Sequence, residues 1–472
     1  MEEITTDLLI IGAGPAGQKA AIQSSKLGRS VFVVEKKPSL GGNCLYSGTI
    51  PSKTLRESII DLTRFHQQSF YGPEISMREV SISDLNFRLS KVIEEERRLL
   101  HRQFKKNQIR FVEGIARFET PHLLLVFDDD YRLLYQLKAE KVIIATGSKP
   151  RHPIHVPFDN EVILDSNRLL GIERVPETML VLGGGIIGAE YASFFAALGT
   201  EVTIIDKKER LLPLLDEEIG THLQTALTEL GLKFKGNKKP EKISREGDRA
   251  HVTFEDGSHL VGDVLLFALG REANVEGLHI DNGAIALNSD GYIPVNALFQ
   301  TSQANIYAVG DVIGAPALAS TSMEQGRLAA RHACGVDTHY FPSVYPIGIY
   351  TIPEISCCGY NESQLERLGF HYEVGRAYYY EIARSHIAGS NEGMFKLLFH
   401  AETLELLGVH IVGRNATELI HIGQVALSLN AKIHFFIDQV FNYPTYAEGY
   451  RVAALNGLNK VENRRQKRLE SG

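Results

Sequence analysis

The sequence predicts an α/β protein in which one strand–turn–helix–strand unit is built twice and an α+β segment closes the chain. First, the same block occurs twice, offset by 171 residues from Gly12 to Gly183. One copy runs Leu9-Ile10-Ile11, Gly12-Ala13-Gly14-Pro15-Ala16-Gly17, Leu27-Gly28, Val31 to Val34 and Glu35. The other runs Leu180-Val181-Leu182, Gly183-Gly184-Gly185-Ile186-Ile187-Gly188, Leu198-Gly199, Val202 to Ile205 and Asp206. Second, each block reads as a buried apolar strand, a glycine turn, a helix of about a dozen residues and another buried strand. Third, residues 346–472 alternate strands (Phe395 to Phe399, Leu406 to Val412) with helical stretches, as an α+β domain does.

The first unit is expected over residues 1–150, closing on the strand Val142-Ile143-Ile144-Ala145 and the turn Thr146-Gly147. Within it, about 82–107 is a charged helical stretch, and about 109–138 reads as short strands turned at Asp128-Asp129-Asp130. The second unit takes 151–272. Residues 273–345 return to the first through the strand Asn305 to Val309 and Gly310-Asp311. The tail, Lys460 to Gly472, is rich in Lys and Arg and reads as a frayed, solvated end.

Composition narrows the class. At 472 residues there is room for roughly three domains. Apolar residues make up 44% and charged residues 23%, ordinary for a folded soluble protein. A net charge of −7 leaves no basic footprint, so no nucleic acid is expected as partner. The acidic start Met1-Glu2-Glu3 is the opposite of a signal-peptide n-region. Met179 to Gly199 is apolar for about the length of a membrane span. It nevertheless holds Gly183, Gly184, Gly185 and Gly188 with Glu190 in its middle, so a strand, a tight turn and a buried helix are expected, and no membrane. Cys44, Cys334, Cys357 and Cys358 are too few and too scattered for a disulfide framework, which points to a reducing, cytoplasmic setting. Cys357 and Cys358 show no metal spacing and the 17 histidines form no ligand pattern, so no metal is expected.

The glycines give the repeat its chemistry. In a Rossmann-like unit Gly12 and Gly183 allow the tight turn, and Gly14 and Gly185 let backbone approach a pyrophosphate. Gly17 and Gly188 let the helix pack closely on the sheet. The pyrophosphate rests on unpaired N–H groups at the positive end of the helix. An acid ending the second strand, Glu35 or Asp206, accepts the hydroxyls of an adenosine ribose. A lone fingerprint is weak evidence. Two copies with flanking strands and a placed acid predict two dinucleotide-binding domains.

Residues 41–53, Gly-Gly-Asn-Cys-Leu-Tyr-Ser-Gly-Thr-Ile-Pro-Ser-Lys, resemble the flavin-side redox segment of the pyridine nucleotide-disulfide oxidoreductases. Ala145-Thr146-Gly147, the second fingerprint with Glu190, Ala268-Leu269-Gly270-Arg271 and Ile306-Tyr307-Ala308-Val309-Gly310-Asp311 resemble further marks of that family. The likeness runs from Asp7 to about Asn459. It implies FAD at the first fingerprint, with Thr146, Gly147 and Asp311 (to the ribityl chain) among its contacts. It implies NAD or NADP at the second, with Gly270 nearby. It implies that Lys53 and Glu190 pair beside the flavin as the catalytic residues, and that the last segment is a dimerisation domain. A homodimer or larger homo-oligomer is therefore expected.

Two departures narrow the function. The family's disulfide reductases carry two cysteines five positions apart, but here Cys44 is matched with Thr49. Their His-Pro-Thr-x-x-Glu segment is here Tyr443-Pro444-Thr445-Tyr446-Ala447-Glu448. Thiol–disulfide exchange needs a thiolate, a resolving partner and a proton carrier. Threonine forms no disulfide, and a tyrosine with an ordinary pKa near 10 shuttles protons poorly at neutral pH. The nicotinamide half keeps its parts. Hydride exchange between NADPH and NAD through FAD needs no net proton and is the expected activity. Thr49, Gly348 to Ser356, Phe441 to Thr445 and Tyr450 to Asn459 resemble the family members that work this way. The alternatives are an NAD(P)H dehydrogenase or diaphorase with a quinone, dye or protein acceptor, and a non-enzymatic flavin-binding sensor or scaffold.

The nucleotide site reads as mixed. Asp206 suits a free 2′-hydroxyl, while Lys207, Lys208 or Arg210 suit a 2′-phosphate, against the plainer reading of a solvated charged turn. Ile186 stands where NADPH-specific relatives often place a tyrosine lid. Cys44 is expected to be inert rather than to form a sulfenic acid.

Overall fold

The computed structural model describes residues 2–63, 81–338 and 341–470. Buried apolar runs form the parallel cores of its first two sheets. In the first, β1 (Glu2–Ile11) is flanked in parallel by β2 (Val31–Glu35) and β6 (Leu133–Ile144), and β3 (Arg110–Glu113) adds to β2. The seven-stranded order is β3-β2-β1-β6-β5-β4, with β4 (Ile115–Thr120), β5 (Leu123–Phe127) and a separate strand on β6. Strand β6 is longer than expected: the last of the short strands of 109–138, from Leu133, and the strand at Val142 are here one piece. Its first half pairs antiparallel with β5 and its last three residues pair parallel with the Ile306–Ala308 strand. The polar residues in its middle, Gln136, Lys138, Glu140 and Lys141, disguised that continuity.

Between these, β7 (Ser148–Pro150) leaves the first lobe, and β8 (Ile163–Asp165), β9 (Thr178–Leu182), β10 (Glu201–Ile205) and β11 (Lys233–Lys235) build the second. An antiparallel trio follows, β12 (Pro240–Glu246), β13 (Arg249–Phe254) and β14 (His259–Gly262), and then β15 (Val264–Phe267). The second parallel sheet has the order β11-β10-β9-β15-β8. Strand β16 (Arg271–Ala273) pairs antiparallel with β7, so the chain crosses between lobes as a two-stranded ribbon. The return strand is β17 (Ile306–Ala308). The apolar stretch from Met179 divides as expected into β9, a turn and the helix Ile186–Ala197. The charged stretch forms the helix Ile82–Lys106, opened by a capping box from Ser81 and Asp84.

The last segment is a five-stranded antiparallel sheet, β18 (Ile347–Ile349), β19 (Ile355–Gly359), β22 (Leu406–Gly413), β21 (Gly393–His400) and β20 (Tyr372–Tyr378) in spatial order. Helices Ala416–Ser428 and Glu448–Glu470 cover it. The tail therefore departs from the frayed end expected of it. Tyr450, Ala453, Ala454 and Val461 are buried at helical spacing. Lys460 Nζ donates to the Val374 carbonyl at 2.8 Å, and Arg464 pairs with Glu373. The basic residues occupy the solvent face of an anchored helix, and their density hid the apolar stripe. Among the described residues no helix is long and apolar enough to cross a membrane.

Candidate active site

Both glycine turns are built by the same contacts. Gly12 has φ +104°, and a Cβ there would stand 2.3 Å from the Ala145 carbonyl oxygen. Gly17 faces the Gly12 carbonyl, where a Cβ would come within 1.9 Å of its oxygen, and Gly188 repeats that 1.9 Å approach to Gly183. Gly14 and Gly185 differ: nothing lies within 4 Å of a Cβ at either. Each turn is thus open on one side, and a methyl group would fill the cradle where backbone N–H groups meet the start of a helix. The donor set suits an anionic pyrophosphate. Neither acid floats. Glu35 Oε2 accepts from Ala13 N at 2.7 Å and its other oxygen from Lys37 N at 3.0 Å. Asp206 accepts from Gly184 N at 2.6 Å and Lys208 N at 2.8 Å. Each carboxylate is fixed by the loop it closes.

A cavity of about 730 Å³ runs from the first glycine turn to the C-terminal sheet. Of the residues singled out in the sequence, Gly12, Gly14, Glu35, Lys53, Thr146, Gly147, Glu190 and Asp311 line it, as do Cys44, Thr49 and Ile186. Gly17 lies beneath the first turn. Gly183, Gly185, Gly188, Asp206 and Gly270 do not line that cavity; Gly188 lies in the first turn of the helix Ile186–Ala197 and the others follow strand ends of the second lobe. Thr146 Oγ1 is buried without a hydrogen-bond partner among the described residues.

Lys53 and Glu190, 137 positions apart, meet in the cavity wall. Lys53 Nζ stands 2.9 and 2.7 Å from the two carboxylate oxygens, with Glu190 buried and Lys53 one-quarter exposed. The helices Thr49–Thr63 and Ile186–Ala197 bring them together, one from each lobe. Cys44 sits in the short helix Gly42–Tyr46. Burial pushes its thiol up, against the opposing pull of a Thr49 hydrogen bond and of Lys53, so it stays protonated at neutral pH. Tyr443 is 75% exposed.

Sequence reasoning missed the support beneath Asp311. Ser148 Oγ donates to Asp311 Oδ2 at 2.7 Å while accepting from Arg271 Nε at 2.8 Å. Arg271 also donates to the Ser148 carbonyl at 2.8 Å, which Asn43 Nδ2 reaches at 2.8 Å as well. Both Ser148 and Arg271 directly follow motif residues, Gly147 and Gly270, and that adjacency was the available signal. Of the cations offered for a 2′-phosphate, Arg210 is held by Glu217 at 3.0 Å. Lys207 and Lys208 have no ion-pair partner among the described residues and are exposed.

Comparison with known proteins adds to this geometry. The family model described as pyridine nucleotide-disulphide oxidoreductase matches residues 6–326, and that family's dimerisation domain matches residues 345–454. The soluble pyridine nucleotide transhydrogenase of Mycobacterium bovis (strain BCG / Pasteur 1173P2) is 43% identical over 456 residues, 96% of this chain and 97% of the relative. The protein of the same name from Shigella boydii serotype 18 is 40% identical over 459 residues, 96% of this chain and 98% of the relative. Among solved structures, the HOCl-induced flavoprotein disulfide reductase RclA from Escherichia coli superposes with a TM-score of 0.86 at 26% identity, covering 95% of this chain and 99% of that one. LpdA from Mycobacterium tuberculosis, at 24% identity and a TM-score of 0.88 over 95% of this chain and 99% of that one, shares the fold.

Proposed function

Because the chain belongs to the pyridine nucleotide-disulphide oxidoreductase family, whose members use FAD and NAD(P), we propose that it is a soluble transhydrogenase moving hydride reversibly between NADPH/NADP+ and NADH/NAD+. The observation that carries this reading is the intact Lys53–Glu190 pair in a cavity wall whose redox segment holds one thiol, Cys44, opposite Thr49. The names of its relatives at 40–43% identity support it. FAD, when bound, supplies the two-electron centre that accepts hydride from one nicotinamide nucleotide and returns it to another.

In this reading the first glycine turn, Glu35, Thr146, Gly147 and Asp311 hold FAD, while Gly183, Gly185, Gly188, Asp206 and Gly270 hold the nicotinamide nucleotide. The Lys53 ammonium presents positive charge to the cavity, and Glu190 fixes its position from the opposite lobe. No residue need carry a proton, so the exposed Tyr443 costs the reaction nothing. We divide the chain at 1–150, 151–272, 273–345 and 346–472, as FAD, NAD(P), FAD and dimerisation parts, and read it as a cytoplasmic homodimer with a transhydrogenase of the Si-specific type. The test mixes purified yellow protein with NADPH and thio-NAD+. Rapid thio-NADH formation, lost by on the order of a hundredfold in Lys53→Ala, is expected. Stereospecifically deuterated NADPH reads the face. Flavin that NADPH reduces but no nucleotide reoxidises would sink the proposal and point to a quinone, dye or protein acceptor.

Asp206 is committed to the loop and suits a free ribose, so the free cations Lys207 and Lys208 are the groups left to meet a 2′-phosphate. Replacing both by alanine is expected to raise KM for NADPH by on the order of tenfold, with KM for NADH within about twofold. Equal effects on the two nucleotides would remove these lysines from the assignment.

A further inference from the structure

Glu190 Oε1 has a second partner besides Lys53: the backbone N–H of Tyr350 donates to it at 2.8 Å. The ring of the same tyrosine faces the lysine, with Lys53 Nζ 4.8 Å from its centroid. One residue therefore touches both members of the pair, its backbone holding the acid and its aromatic face the base. Tyr350 follows β18 and opens a strap, Tyr350 to Glu354, that is tied to each neighbour in turn. The Thr351 carbonyl accepts from Arg56 Nε at 3.1 Å on the helix Thr49–Thr63. Ile352 N donates to Ser193 Oγ at 3.2 Å on the helix Ile186–Ala197. Glu354 accepts from Asn415 N at 2.8 Å and from the Thr417 hydroxyl, beside which the Tyr350 phenol lies. Gly348 packs against the same pair of side chains; a Cβ there would come within 3.2 Å of Thr417 Cγ2 and 3.3 Å of Tyr350 Cε2.

We propose that Tyr350 is a positioning residue for the reaction: the C-terminal domain, through this one residue, sets where the Lys53 ammonium stands between Glu190 and the cavity. The inference rests on the transhydrogenase reading only for its consequence, because the contacts are independent of the acceptor. The carboxylate, at 2.9 and 2.7 Å, and the ring, at 4.8 Å, hold the ammonium from two sides in the wall of the cavity where the flavin is expected. Loss of the ring frees the ammonium to swing about Glu190, so its charge is less well placed at the flavin, which becomes harder to reduce. The backbone bond to Glu190 survives any side-chain change, so the variants isolate the ring.

The experiment uses FAD-loaded full-length protein in three forms: wild type, Tyr350→Leu and Tyr350→Phe. The flavin midpoint potential is taken by dithionite titration, which needs no nicotinamide nucleotide, and flavin reduction by NADPH by stopped flow. Tyr350→Leu is expected to lower the potential and to slow reduction by roughly tenfold with little change in KM, the size of a partly desolvated cation–π contact. Tyr350→Phe, which keeps the ring, is expected to stay within about twofold of wild type. A Leu variant with wild-type potential and rate overturns the proposal, and so does a Phe variant as impaired as Leu. Should the Leu variant fail to fold, Tyr350→Met, which fills similar space without a ring, decides: a lowered potential supports the proposal and a wild-type one overturns it. Wild-type protein without nucleotide exchange would overturn the function above and leave the potential measurements to judge Tyr350.

Discussion

Gly17→Ala is expected to give protein without flavin and a first lobe destabilised by about 3 kcal/mol or more, whereas Gly14→Ala folds normally and fails only to retain flavin. The two positions sit three residues apart in one fingerprint, yet their surroundings are opposite. At Gly17 the new methyl would stand 1.9 Å from the Gly12 carbonyl oxygen and 3.2 Å from Ile10 Cγ2. That carbonyl belongs to a turn whose φ of +104° is itself held against Ala145, so nothing there is the free end of a flexible side chain. The helix Pro15–Lys26 must lift from the sheet, and its packing against the helix Ala319–Ala333 lifts with it. At Gly14 the methyl meets no protein atom within 4 Å. Its cost falls on whatever occupies the cradle. Thermal unfolding of the flavin-free proteins separates the cases: Gly17→Ala melts well below wild type, Gly14→Ala with it. A Gly14→Ala protein that keeps its yellow colour through gel filtration would remove this turn from the flavin site.

Those glycines also explain how much the sequence could disclose. The constraint on Gly17 comes from backbone five residues away, so the requirement is written locally and recurs at Gly188. The pairing of Lys53 with Glu190 is different in kind. The spacing of 137 positions carries no geometric information, and the pair was expected only through the resemblance of residues 41–53 and 183–190 to a family. Where a motif marked a residue but not its partner, or passed a residue by, the contact stayed hidden. Ser148 joins Asp311 and Arg271 across 163 and 123 positions, and Tyr350 reaches Glu190 across 160. Each is set by how lobes pack, which no local period records. The C-terminal helix was misjudged for the reverse reason: charge density on its wet face outweighed the stripe of Tyr450, Ala453, Ala454 and Val461.

One conspicuous local signal went unused, the lysine inside the apolar strand Gly393-Met394-Phe395-Lys396-Leu397-Leu398-Phe399, and it supplies the other large effect. Lys396 is fully buried, its ammonium 2.6 Å from Asp216 and 2.9 Å from Glu218, with Glu362 closer still. Three carboxylates close enough to hold a metal ion are thus gathered around a built-in cation. Asp216 caps the helix Glu217–Glu229 of the second lobe, while Lys396 belongs to the C-terminal sheet, so the cluster pins one to the other. Lys396→Ala leaves Asp216 buried and unpaired. A loss of about 3–5 kcal/mol is expected, read as a fall in melting temperature on the order of 10 °C. Replacing lysine and acids together by apolar residues should recover much of it, because the desolvation penalty goes with the charges. The pH dependence follows from the directions of the shifts. Asp216 and Glu218 are held below the usual carboxylate range, each by its cationic neighbours against the opposing effect of burial. Their contribution is full above roughly pH 4 and lost as pH falls through their lowered values. Lys396 is raised by the three acids against its own burial, so its contribution holds below roughly pH 10 and is lost as pH rises through the raised value. Burial holds the neighbouring His410 below its ordinary value, so the unfolded chain takes up that proton first and acid weakening begins near pH 6.5. Wild type should therefore be most stable between about pH 7 and 9. In Lys396→Ala the orphaned carboxylates favour their protonated forms, and stability should rise, relative to its own value at pH 7, as pH falls toward 5. Melting curves at pH 5, 7 and 9 test it, and parallel profiles for the two proteins would mean that Lys396 does not hold these acids.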